Sequence, residues 1–84
     1  MQPIQDLLNR IRWDPAFGQG RFEVAFLDHL ERELVRLPLA AVIFAPGDHY
    51  FFHYVDVEGL AHSVPFHRIK AVYKNGELIW QRRH

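Results

Sequence analysis

The sequence predicts an α+β domain in which an N-terminal helix packs on a curved, mainly antiparallel sheet, with partial closure into a barrel as an option. Three observations carry this. Apolar residues near the N-terminus recur at helical spacing, the rest of the chain alternates with the two-residue period of half-buried strands, and Gly and Pro turn signals separate the strand-like runs. With 84 residues there is surface enough for one hydrophobic core, so 1–84 reads as a single domain. An apolar content of 49% with 14% aromatics exceeds what a disordered chain carries.

Ile4, Leu7, Leu8 and Ile11 fall at i, i+3, i+4 and i+7, with Pro3 suited to a first helical turn, Asp6 early, and Arg10 and Arg12 late. Pro3 to Arg12 is therefore a helix. Asp14 precedes Pro15, and Gly18 and Gly20 follow, so the helix stops near Trp13. From Arg21 to about His29 the period is two, the pattern of a strand. Leu34 to Leu37 and Val42 to Phe44 are short strands, the latter cut off by Pro46-Gly47-Asp48. Tyr50 to Val57 turns at Glu58-Gly59 into Ala61 to Val64, and Ile69 to Tyr73 pairs with Leu78 to Trp80 around Asn75-Gly76, the strongest hairpin signal in the chain. An antiparallel meander is expected, with a core of Ile4, Leu7, Leu8, Ile11, Val24, Phe26, Val42, Ile69 and Val72. A weak repeat relates Arg36-Leu37-Pro38-Leu39-Ala40-Ala41-Val42 to Ser63-Val64-Pro65-Phe66-His67-Arg68-Ile69, each reading as strand, tight turn, strand.

Absence of cysteine excludes disulfides and thiolate zinc sites and suits a reducing compartment. Leu37 to Pro46, the longest apolar run, is too short to span a bilayer, and the N-terminal order is not that of a signal peptide; the chain reads as cytoplasmic, with no membrane partner. A net charge of zero argues against a general polyanion binder. The charge is unevenly spread, however. No Lys or Arg occurs from Leu37 to His67, whereas Arg68, Lys70, Lys74, Arg82 and Arg83 face only Glu77 in the final segment. Eight of the ten basic residues are Arg, whose planar fork suits bidentate contact with carboxylate or phosphate.

Six histidines are many for so short a chain. His49 and His53 would chelate a metal on a helix, but in a strand four residues span about 13 Å, so neither metal nor cofactor is expected. Ser63 is the only serine and threonine is absent, which leaves a two-motif His-x-Ser/Thr phosphoesterase without its second copy. A ribonuclease-like pair of histidines with Lys70 stays open, since folding brings distant residues together. Tyr50, Phe52 and Tyr54 share one strand face, more readily core than base-stacking surface. Trp13 and Trp80 read as partly buried lids.

Two clusters remain, Asn9, Arg10, Arg12 and Trp13 at the helix end, and His67 and Arg68 with Arg82 and Arg83. Here Leu8-Asn9-Arg10-Ile11-Arg12-Trp13-Asp14, then Leu27-Asp28, then Pro65-Phe66-His67-Arg68-Ile69 and Leu78-Ile79-Trp80-Gln81-Arg82-Arg83 resemble the RNA cyclic-group end recognition domain family, over nearly the whole chain. The resemblance implies a small module, alone or joined to RNA-processing phosphoesterases or nucleotidyltransferases, that reads RNA termini bearing cyclic phosphate or related groups. The positions it points to are Asn9, Arg10, Arg12, Trp13, Asp28, His67, Arg68 and Trp80, with Arg82 beside them. His29 departs from the basic Arg frequent in the family, which would make a phosphate contact there pH-dependent.

The expected function is RNA-terminus binding without catalysis. His67 would donate to a terminal phosphate oxygen, Arg68 and Arg10 or Arg12 would add charge-assisted bonds, and Trp13 would stack on the last base. Arg10, Arg12, Arg68 and Arg82 are accordingly expected on one face. The rivals are a cyclic phosphodiesterase using paired histidines and a protein-interaction domain docking through Arg and aromatic residues.

Overall fold

A computed structural model describes residues 2–30 and 32–82. Helix α1 spans Ile4–Trp13 and buries the four periodic residues Ile4, Leu7, Leu8 and Ile11. It ends where expected. The Asp14 N–H donates to the Arg10 carbonyl at 3.0 Å, and Asp14 Oδ1 then accepts the N–H groups of Ala16 and Phe17 at 3.1 and 3.2 Å. This Asp-Pro loop leads the chain into β1 (Phe22–Leu27).

The strands that follow are β2 (Leu34–Pro38), β3 (Phe51–Val55), β4 (Ala61–Pro65), β5 (Ile69–Lys74) and β6 (Glu77–Gln81). They form a four-stranded antiparallel sheet of order β2-β1-β5-β6 and a separate hairpin, β3-β4. This corrects the simple meander in one respect. The chain leaves the sheet after β2 and returns at β5 beside β1, and the two sheets do not close into a barrel.

The reason lies in aromatic packing. Phe52, fully buried, meets Phe26 edge-on with centroids 5.5 Å apart, and Tyr54 and Phe66 add rings 5.7 Å from Phe26 and Phe52. The apolar face of the hairpin is thus buried against the sheet, and it gains more by covering Phe26 than by extending the ladder sideways. Val42 to Phe44 does not persist as a strand either. Only Ile43 bridges to His53, because Leu39–Ala41 tightens into a 3₁₀ turn before it and the Pro46-Gly47 turn follows. The second copy of the repeat forms the same turn over Phe66–Arg68.

Of the expected core, eight residues are buried and Val42 packs half-buried against them. Trp80 joins the core, 7% exposed, with its indole N–H donating to the Gln2 carbonyl at 2.7 Å. Trp13 is 74% exposed, so only one of the two tryptophans is covered. Asn75 and Gly76 both take positive φ, 52° and 83°, as a two-residue hairpin turn requires. Among the described residues no helix is long and apolar enough to cross a membrane.

Candidate functional site

Because β1 and β5 are antiparallel with Phe26 opposite Ile69, the end of β1 and the start of β5 meet at one end of the sheet. After Leu27 the chain turns on Asp28, whose Oδ1 accepts the Leu30 N–H at 2.8 Å and whose carbonyl accepts the Arg32 N–H at 2.9 Å. The 3₁₀ turn of the second repeat copy arrives at the same place. The result is a groove of about 560 Å³ lined by Asp28, His29, Arg32, His67, Arg68 and Lys70. Three cationic and two imidazole side chains thus line one groove, from segments far apart in sequence.

The groove has a second arm of about 420 Å³, which shares the walls Leu27, Asp28, His29 and Arg68 and runs on over Leu30, Tyr54 and His62. Tyr54 and His62 are cross-strand partners whose rings stack, 4.8 Å between centroids and 15° from parallel. His62 is fixed there, since its Nε2 lies 2.7 Å from Asp56 Oδ2 while Asp56 Oδ1 accepts the N–H groups of Glu58 and Leu60. The His62 contact, then the Leu60 N–H, holds the Asp56 carboxyl below its ordinary value. Burial pushes the Tyr54 hydroxyl up, and the negative charges of Asp28 and Asp56 add to it.

On the other face of the hairpin, His53 stands between Ser63 and Asp48. Its Nδ1 lies 2.8 Å from Ser63 Oγ and its Nε2 lies 3.1 Å from Asp48 Oδ2, while Asp48 Oδ1 accepts the N–H groups of Tyr50 and Phe51 at 3.0 Å. Those two N–H groups, Phe51 first, lower the Asp48 carboxyl, and His53 lowers it further. The cluster pins the loop before β3 to β4. Among the described residues no three His, Asp or Glu side chains gather as metal ligands would.

The remaining candidates lie elsewhere. Arg12 borders a depression of about 1030 Å³ together with Gly20, Phe22 and Phe44, at the start of β1. Its guanidinium sits 4.7 Å from the Phe44 ring centroid and 5.4 Å from that of Trp13. Arg10 lies over Phe17 at 3.9 Å and beside Asp14, also 3.9 Å away. Asn9 is exposed on the helix. A strand rises about 3.3 Å per residue, so Phe22 and Leu27, and with them the two depressions, stand roughly 17 Å apart. The four arginines therefore do not gather on one phosphate. Arg82 is tied by its Nε to the Ile69 carbonyl at 2.9 Å and by its backbone N–H to the Lys70 carbonyl at 2.8 Å, so it braces β5 beside the groove. Trp80 is core, and Arg83 lies outside the described residues.

Two groove residues, Arg32 and His29, come from the turn after β1. Arg32 carried no signal in the sequence, because its place depends on the β1–β5 pairing. Read as a two-residue turn, Glu58-Gly59 would set Tyr54 opposite Ser63; the turn also takes in Val57, with Asp56 opposite Leu60, and that one-residue shift puts His53 opposite Ser63 and Tyr54 opposite His62.

A family model for the MJ1316 RNA cyclic group end recognition domain matches residues 1–82. The chain belongs to that family. RNA ends are accordingly the ligand class of this end recognition domain. The segments that carried the resemblance fall at both ends of β1, with Asp28, His67 and Arg68 together at one and Arg12 at the other. No curated protein and no solved structure matches the chain.

Proposed function

We propose that this end recognition domain holds the terminal phosphate group of an RNA in the groove at the end of β1, as a reader of ends rather than an enzyme. The observation that carries the reading is the clustering of His29, Arg32, His67, Arg68 and Lys70 around one groove in a chain of zero net charge. Arg68 offers a planar fork to two phosphate oxygens, Lys70 a point charge, and His67 a ring N–H, all of them charge-assisted donors to an anion. Arg12 and Trp13, one strand length away, serve RNA upstream of the terminus, with Trp13 exposed for stacking and Arg12 available to a phosphate. Joint action with RNA-processing phosphoesterases or nucleotidyltransferases belongs to the same reading.

The test is a titration with short RNAs that differ only at the terminus: 3′-hydroxyl, 3′-phosphate and 2′,3′-cyclic phosphate. The cyclic end should bind tightest, and equal affinity for all three would remove the terminus from the site.

One observation favours a second reading. His29 and His67 line the same groove as Lys70, so one imidazole could take a proton from water while the other protonates the departing ribose oxygen, opening the ring. Recovering the cyclic end intact after long incubation with the protein separates the reader from the phosphodiesterase.

A further inference from the structure

The groove does not end at its cations. Its second arm shares Leu27, Asp28, His29 and Arg68 with the first and passes onto a surface of different character, built from Leu30, Phe51, Tyr54 and His62. Leu30 is 88% exposed and Phe51 40%, an open apolar border. The His62 ring, 40% exposed as a side chain, lies flat against Tyr54 and is tethered at Nε2 by Asp56, contacts that favour this one orientation. A pre-oriented aromatic pair beside a charged wall suits a ligand that carries a flat ring and an anion on one small frame. A nucleotide is such a ligand, since base and terminal phosphate hang from the same ribose.

We propose that this arm, with the Tyr54–His62 stack and Leu30, receives the base of the terminal nucleoside, so that the domain grips the last nucleotide at both its phosphate and its ring. The proposal rests on the assignment of the terminal phosphate to the neighbouring arm. It moves the last base from Trp13, at the far end of β1, to the hairpin. Stacking accepts any π-face, so all four bases should be held. An apolar side chain of a protein partner could lie on Leu30 and Phe51, but it would leave Arg68 and His29 at the shared wall without a counterpart.

The experiment compares the four nucleoside 2′,3′-cyclic monophosphates with a base-free analogue, methyl riboside 2′,3′-cyclic phosphate, by calorimetry on the full chain. The wild-type protein should bind each nucleotide about tenfold more tightly than the base-free ring, the ratio that one stacked base is worth. His62→Ala should collapse that margin while changing base-free affinity less than twofold. Leu30→Ala should narrow it, and its exposed position means that the fold does not depend on it. Arg68→Ala should weaken every ligand alike. Equal binding of nucleotides and base-free ring by the wild-type protein overturns the base site and leaves the phosphate site standing. So does a margin that persists in both variants, or one lost only on Trp13→Ala. If no ligand with a cyclic phosphate binds, the phosphate assignment fails and this proposal falls with it.

Discussion

Pro38 and Pro65 hold the same backbone conformation, with φ of −58° and −61° and ψ of 136° and 138°. Each opens a one-turn 3₁₀ helix, which the N–H of Val42 or Ile69 closes onto the carbonyl of Leu39 or Phe66. Within that shared frame the first copy carries Ala40-Ala41 and the second His67-Arg68. The turn therefore forms without charged side chains, and the charged pair is free to serve binding.

Replacing His67 and Arg68 together by alanine should leave the fold intact, lowering unfolding free energy by no more than about 1 kcal/mol in denaturant titration. Binding of RNA with a cyclic end should weaken by roughly 3 kcal/mol, about a hundredfold, since charge-assisted bonds are worth about 1.5 to 3 kcal/mol each. A double variant that binds as well as its parent would take the phosphate away from this turn.

Salt dependence should be shallow. The groove presents few cations and the net charge is zero, so log K against log salt should give a slope for about one to three phosphates. Titrations across several salt concentrations measure it, and the steep slope of a long-groove binder would place more RNA on the surface than the terminus.

Asp48 and Asp56 both have carboxyls held below their ordinary value of 3.8, Asp48 chiefly by the Phe51 and Tyr50 N–H groups and Asp56 chiefly by His62. A carboxyl with a depressed folded pKa contributes stability above its unfolded pKa and loses it as pH falls through the folded one. Melting temperature should therefore fall as the solution is acidified from about pH 5 to pH 2, and Asp48→Asn with Asp56→Asn should flatten that part of the profile. An unchanged slope would mean that the two carboxylates hold nothing in place.

Gly18 has its Cα hydrogen directed at the Ile11 carbonyl oxygen, where an added Cβ would collide with helix backbone. Gly18→Ala should lower stability by about 1 to 3 kcal/mol, as overpacking does, and shift the loop off α1. Gly47→Ala meets open space and bears only the strain of φ +82°, about 1 kcal/mol. Thermal melts of the two variants should rank in that order.

Phe52→Ala removes a fully buried ring that meets Phe26 and Phe66. Loss of a core Phe costs about 3 to 5 kcal/mol, a large share of a small domain's stability. Near-ultraviolet circular dichroism should show loosened aromatic packing at temperatures where the wild-type signal is intact.

Local signals in the sequence translated well. The spacing of Ile4, Leu7, Leu8 and Ile11 is a helix with one apolar face, and Asn75-Gly76 is the turn it promised. Both depend on neighbours a few residues away. The pairing of β1 with β5 does not, and that pairing sets which charged residues meet. Asp28, His67 and Arg68 came together because the end of β1 and the start of β5 meet at the same end of the sheet, whereas Arg12 was carried to the other end by the direction of β1. Trp80 lies on a strand whose alternation is weak, so its place in the core was settled by the register of β6 against β5. The 3₁₀ turn at Leu39–Ala41 displaced the expected strand, since one-turn helices leave no periodic pattern.

The central pairing of β1 with β5 also bears on how the chain acquires its activity. Phe22 joins Lys74 and Phe26 joins Ile69 across more than half the sequence, a loop closure whose entropy is met before any of those contacts can repay it. Folding should be slow for so small a protein, and during synthesis the middle of the sheet must wait for β5. A nascent chain that has finished only β4 can pair β1 with β2 and β3 with β4, but β1 still lacks its inner neighbour. The groove is complete only once β5 has joined β1, since Lys70 lies on β5 and the turn that carries His67 and Arg68 leads into it.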